Sequence, residues 1–173
     1  FTDDIFIWGC DHSIFTLQGD PMDGGRLFQV SNGIGMAWGR SWCQGPNGEV
    51  YFFSNMCGIY VMTPGQPLVR ISQPIENLLK TVNTGSNTIT MTWDDRWQGF
   101  HVFVTKTSGA YRAVHLFYEA RAGAWWMDVF ANKNHNPLCC CTFDGNAAND
   151  RAALIGSWDG YVRYLNPDSM DDD

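Results

Sequence analysis

The stretch Val50-Tyr51-Phe52-Phe53-Ser54-Asn55-Met56-Cys57-Gly58-Ile59-Tyr60 decides the fold. It reads as an apolar run, a short polar link and a second apolar run, the pattern of two antiparallel strands joined by a tight turn. Similar stretches occur at Ile5-Phe6-Ile7-Trp8-Gly9-Cys10-Asp11-His12-Ser13-Ile14-Phe15 and at Ala153-Leu154-Ile155-Gly156-Ser157-Trp158-Asp159-Gly160-Tyr161-Val162, with a looser copy over residues 102–118. Three of the links have one length, running from Gly9 to Ser13, Ser54 to Gly58 and Gly156 to Gly160. Hairpin units recurring every ~40–50 residues point to a β-propeller, with one blade per repeat.

The repeat extends outward from each hairpin. Leu27-Phe28-Gln29-Val30, Leu68-Val69-Arg70-Ile71 and Trp126-Met127-Asp128-Val129 each carry a polar residue only at the third place. That suits an outermost strand with one side chain reaching water. A further strand precedes the hairpin at residues 36–43, 89–97 and 138–143. Turn chemistry follows two of these, at Gly45-Pro46-Asn47-Gly48 and Asp144-Gly145-Asn146. The strand before each link is apolar without alternation, which implies burial on both faces. Residues 73–82 break the pattern, because Ile75, Leu78, Leu79 and Val82 fall at helical spacing. Ser72 can cap this short helix and Pro74 suits its first turn.

These readings divide the chain into units of residues 1–31, 35–72, 89–130 and 137–166. All belong to one all-β propeller domain, or to part of one. The first unit lacks a leading strand and the fourth a trailing one, leaving two complete four-stranded antiparallel blades and two partial ones. The chain is read as a slice of a longer propeller, and Phe1 and the closing Asp171-Asp172-Asp173 fit that reading.

Composition narrows the function classes. The 173 residues include eight Trp and eleven Phe, with only 17% charged residues, a packed globular composition. The net charge of −7, with Lys and Arg scattered singly, disfavours a phosphate backbone, so no nucleic-acid partner is expected. No apolar run approaches the roughly 20 residues of a membrane span. Cys10, Cys43, Cys57, Cys139, Cys140 and Cys141 form a poor disulfide framework and read as small buried hydrophobes in a reducing cytoplasm.

Chemistry-bearing clusters are few. Asp94 and Asp95 sit near a turn beside Trp93 and Trp97, where aromatics flanking acids suit a sugar. The plainer reading is a polar turn between core tryptophans, since adjacent acids on a strand point to opposite faces. Trp158 lies in a link and is a candidate contact for a glycan or a protein. His12, His101, His115 and His135 are far apart, and Cys139 with Cys141 lacks two further zinc ligands, so no metal is expected. No Gly-x-Ser-x-Gly elbow or phosphate loop is present, and no catalytic residue or cofactor is assigned.

Two families resemble parts of the chain. Gly156-Ser157-Trp158-Asp159-Gly160-Tyr161-Val162-Arg163-Tyr164-Leu165-Asn166-Pro167 is similar to a hairpin of quinoprotein-like propellers. Their docking motif is missing, so quinone chemistry is not carried over and only an envelope scaffold would follow. Ser157-Trp158-Asp159-Gly160 departs from the sialidase box. The hairpin from Gly48 onward, the Gln73-Pro74-Ile75-Glu76-Asn77-Leu78-Leu79 segment, and Asp159-Gly160-Tyr161-Val162-Arg163-Tyr164 with the Asp run resemble degenerate propellers in virion proteins of tailed bacteriophages. This likeness spans residues 48–82 and 153–173. It implies a non-enzymatic tail, neck or nozzle component of the virion, assembled in the host cytoplasm. Its partners would be other protein subunits, in a symmetric assembly. A glycan-binding or glycan-hydrolysing propeller is the alternative.

Overall fold

The computed structural model describes residues 5–106, 113–130, 132–147 and 150–165. Phe1, Asn166, Pro167 and the Asp171-Asp172-Asp173 run lie outside the described residues, as do the outer limits of the first and last units.

The chain builds four antiparallel sheets in sequence, and none closes on itself among the described residues. The first contains β1 (Ile5–Gly9), β2 (Ser13–Gln18) and β3 (Arg26–Asn32). The second contains β4 (Trp42–Gln44), β5 (Val50–Ser54), β6 (Gly58–Met62) and β7 (Val69–Arg70). The third contains β8 (Asn87–Asp94), β9 (Gly99–Lys106), β10 (Val114–Glu119) and β11 (Ala124–Asp128). The fourth contains β12 (Pro137–Phe143), β13 (Ala152–Ser157) and β14 (Val162–Tyr164). Each is a meander in which neighbours in sequence are neighbours in space, so every pairing is local and antiparallel. Among the described residues the sheets have three, four, four and three strands, with no leading strand in the first and no trailing one in the fourth.

The sheets stack face to face in chain order. Ile7, Ile14 and Val30 of the first meet Val50, Phe52, Tyr60 and Met62 of the second. Tyr51, Phe53 and Ile59 on the other face of the second meet Met91, Trp93, Phe100, Val102 and Leu116 of the third. Phe103 on the far face of the third meets Cys140 and Ile155 of the fourth. A strand must therefore be apolar on both faces if its sheet is sandwiched, and β5 is buried along its whole length. The rule fails at the ends of the stack. In β1 only alternate residues face a neighbour, leaving Phe6 and Trp8 exposed, and β13 alternates for the same reason.

Polar bonds tie the layers together along the side of the leading strands. β8 packs against both β4 and β12. The Met91 N–H donates to the Arg40 carbonyl at 2.9 Å, and the Thr142 hydroxyl donates to the Trp93 carbonyl at 2.9 Å. At the opposite side, the indole N–H of Trp125 donates to the Ile71 carbonyl at 2.9 Å, while Trp126 is exposed.

Several local expectations are corrected. The leading strand expected over residues 36–43 is regular only from Trp42, because Gly39 takes φ of 76° and Ser41 bonds back to the Ala37 carbonyl. The helix expected over 73–82 is a 3-10 turn at Gln73–Ile75 followed by α1 (Glu76–Leu79). Its end tightens into i→i−3 bonds at Thr81 and Val82. Ser72 does not cap it; its buried hydroxyl instead accepts from the Ile59 N–H at 2.9 Å.

The three links are not of one length. Ser54 pairs with Gly58, and the Ser157 N–H donates to the Tyr161 carbonyl, so each of these turns has three residues and ends in a left-handed one, Cys57 or Gly160. The first link is shorter: the Cys10 N–H donates to the Ser13 carbonyl, leaving only Asp11 and His12 between. The fourth hairpin is therefore aligned one residue later than its sequence suggests.

Position in the stack sets the cost of a truncation. Phe53→Ala, in a fully buried site between the second and third sheets, is expected to cost about 3–5 kcal/mol. Phe6→Ala, on the uncovered face, is expected to change stability by less than ~0.5 kcal/mol. Urea denaturation followed by tryptophan fluorescence distinguishes the two.

Candidate functional site

Two clefts open side by side along β4, sharing Trp42 and Gln44. The first, of about 560 Å³, is mainly apolar and lies against β1, with Ile7, Met36, Trp38 and Val50 in its walls. The second, of about 510 Å³, is polar and sits where β4, β8 and β12 converge, lined by Arg40, Thr92, Trp93, Asp95, Thr142 and Arg151.

The floor of the polar cleft is built from strand ends. Trp93 is buried in the second–third sheet core, with its indole N–H directed to Asp95 Oδ1 at 2.9 Å. Asp95 heads the turn between β8 and β9 and forms an ion pair with Arg151, which also reaches Asp144 Oδ1 at 3.1 Å. The Gln98 amide donates to the Asp95 carbonyl at 2.6 Å and fixes the turn. Thr92 and Thr142 hydroxyls lie 3.1 Å apart across the third–fourth sheet junction. The result is a carboxylate and a guanidinium beside the half-exposed indole of Trp42, a set that can hold a polar, ring-shaped ligand.

Asp94 turns the other way, as neighbouring strand residues must. It is buried and starts a polar chain: His101 Nε2 lies 3.4 Å from Asp94 Oδ2, and His101 Nδ1 lies 2.9 Å from His115 Nε2. His115 Nδ1 in turn lies 3.9 Å from the exposed Asp128 carboxylate. Burial opposes ionisation of Asp94, but hydrogen bonds from His101 and from the Arg96 and Trp97 backbone outweigh it and hold the carboxyl below the usual range. Burial, then the neighbouring His101, pushes His115 down to about 3, so it is neutral near pH 7. Phe103, Phe117 and Phe130 surround the two imidazoles. The chain thus satisfies buried polar groups inside an aromatic layer.

The candidate residues from sequence divide accordingly. Trp93 and Asp95 share the polar cleft. Asp94 belongs to the histidine chain on the opposite face. Trp97 is half exposed and meets Phe117 edge-on at 6.1 Å, outside the cleft lining. Trp158 occupies the β13–β14 turn, where its N–H donates to the Asn136 carbonyl at 3.1 Å. Sequence reasoning missed Trp42 and Arg151, which reach the cleft only through packing between sheets. In the sequence His101 and His115 stand out only as possible metal ligands. Their pairing depends on the β9–β10 register. Among the described residues, no three His, Cys, Asp or Glu side chains are placed to hold a metal ion. No helix among them is long and apolar enough to cross a membrane. No protein-family model matches the chain, and no characterised protein matches it as a relative.

The histidine chain predicts a direction for acid sensitivity. An unfolded histidine titrates near 6.5, whereas folded His115 stays neutral to about 3. Between those values the unfolded chain binds more protons, so stability falls as pH drops through that window. The slope approaches ~1.4 kcal/mol per pH unit at most. Asp94 adds a further loss at lower pH, as its depressed carboxyl becomes protonated. Denaturation midpoints measured from pH 7 to 4 should fall steadily for the native chain and more gently for His115→Gln.

Proposed function

We propose that the four sheets are consecutive blades of a β-propeller, and that the protein is a non-enzymatic structural component of a phage-like virion tail or neck. In this reading it works by burying sheet faces against neighbouring protein subunits. The observation that carries it is the uncovered apolar surface at both ends of the stack, where Phe6 and Trp8 are each 61% exposed and Val162 is 71% exposed. Contiguous apolar surface of this kind marks an interaction site in a folded protein. Two further features support it: local antiparallel meanders and leading strands gathered on one side. The virion and its host cytoplasm enter through the resemblance of the hairpins alone.

A second reading is glycan binding in the polar cleft, favoured by Trp42 standing beside the Asp95–Arg151 pair. Trp97 and Trp158 play no part in that version, because they lie elsewhere.

Antibodies raised against the chain should label the tail or neck of purified phage particles in immunogold electron microscopy. Absence of label from intact and dissociated particles would remove the virion reading. The native chain should give no hit on a glycan array or hydrolase screen. A clear hit lost in both Trp42→Ala and Asp95→Asn would establish the second reading instead.

A further inference from the structure

The two uncovered faces are opposite halves of one kind of interface. In the second sheet, the face toward the first is built from two cross-strand pairs, Phe52 with Tyr60 and Val50 with Met62. In the first sheet, the corresponding pairs are Trp8 with Phe15 and Phe6 with Leu17. Those pairs, joined by Leu27 through its pairing with Leu17, form the uncovered face. The first sheet thus presents to solvent the surface that the second sheet buries against its predecessor.

The fourth sheet presents the complementary surface. In the second sheet, Cys43, Tyr51 and Val61 lie side by side toward the third, next to Phe53 and Ile59. In the fourth, Cys141, Leu154 and Tyr164 take the same cross-strand positions, next to Gly156 and Val162. Tyr164 is 58% exposed and Val162 is more exposed still. None of these face residues of the first or fourth sheet is charged.

We infer that this chain binds a second copy of itself head to tail, the outward face of the fourth sheet seating on the outward face of the first. The inference rests on the propeller reading above and names its partner. The contact continues the stacking that joins the four sheets internally. It is heterologous, so it must either close or propagate. Two copies bring eight sheets to one ring, within the roughly four to eight blades of known propellers.

The native chain at tens of micromolar should sediment at twice its 19.5 kDa mass. Trp8→Lys and Leu154→Asp each place an unpaired charge in the contact and should weaken dimerisation at least ~30-fold. Both sites are at the solvent face of the isolated chain, so circular dichroism and the thermal midpoint should stay near native. Mixing the two variants in equal amounts should restore a dimer through the Lys–Asp contact, which neither variant forms alone. A native monomer, or a dimer or larger aggregate indifferent to both substitutions, overturns the inference. If phage particles are labelled while the native chain stays monomeric, the structural role stands and only self-association fails. The reverse pattern removes the virion assignment and leaves the head-to-tail contact.

Discussion

Burial of both faces of the strand preceding the hairpin turn in the two inner sheets is the constraint on which the architecture depends. β5 is buried along its whole length and β9 everywhere but its last residue, so a single covering layer cannot satisfy them. Each must lie between two other sheets, and the chain meets this demand by placing another meander on either side. The large buried aromatics Phe52, Phe53, Phe100 and Phe103 divide between opposite faces of these strands, so each sheet is attached to two neighbours at once. Inter-sheet bonds such as Met91 to Arg40 then set how adjacent layers are placed.

The same constraint explains why so much of the fold was legible in the sequence. Unbroken apolar runs between turn residues identify sandwiched strands without knowledge of their partners, as at Val50-Tyr51-Phe52-Phe53. The lone polar residue in each trailing run does not single out the wet position. Gln29 and Asp128 are exposed, but so are Leu27, Phe28, Val69, Trp126, Met127 and Val129, while Arg70 is half-buried, because the outer strand has no further strand or layer beside it among the described residues. Turn lengths were harder to read. Gly156-Ser157-Trp158-Asp159-Gly160 looks like the second link, yet its true counterpart starts at Ser157, because the left-handed position belongs to Gly160. Residues 36–41 have strand composition, but Gly39 and the Ser41 side-chain bond turn them into an irregular approach.

The candidate site was less legible because it is assembled across sheets. Trp93 and Asp95 are two residues apart and their bond is local, so a sequence reading can associate them. Arg151 comes from the segment leading into β13, and nothing near it in sequence points to Asp95. The Asp94–His101–His115 chain depends on a pairing whose register is settled by packing. It also shows how a nearly all-apolar stack tolerates polar side chains: each is matched to the next, and the last lies near an exposed carboxylate.

The unequal turns have a consequence for how such a chain tolerates change. A strand with one oily and one watery side is ruined when its hairpin gains or loses a residue, since every side chain then swaps sides. Strands greasy all round are indifferent to that flip. The two-residue turn at Asp11-His12 and the three-residue turn at Asn55-Met56-Cys57 can therefore serve related hairpins, with Ile7 and Trp8 exchanging the roles that simple alignment to Phe52 and Phe53 would give them. Loop insertions and deletions of a single residue become survivable, and ancestral copies of one unit can drift apart until only their rhythm remains.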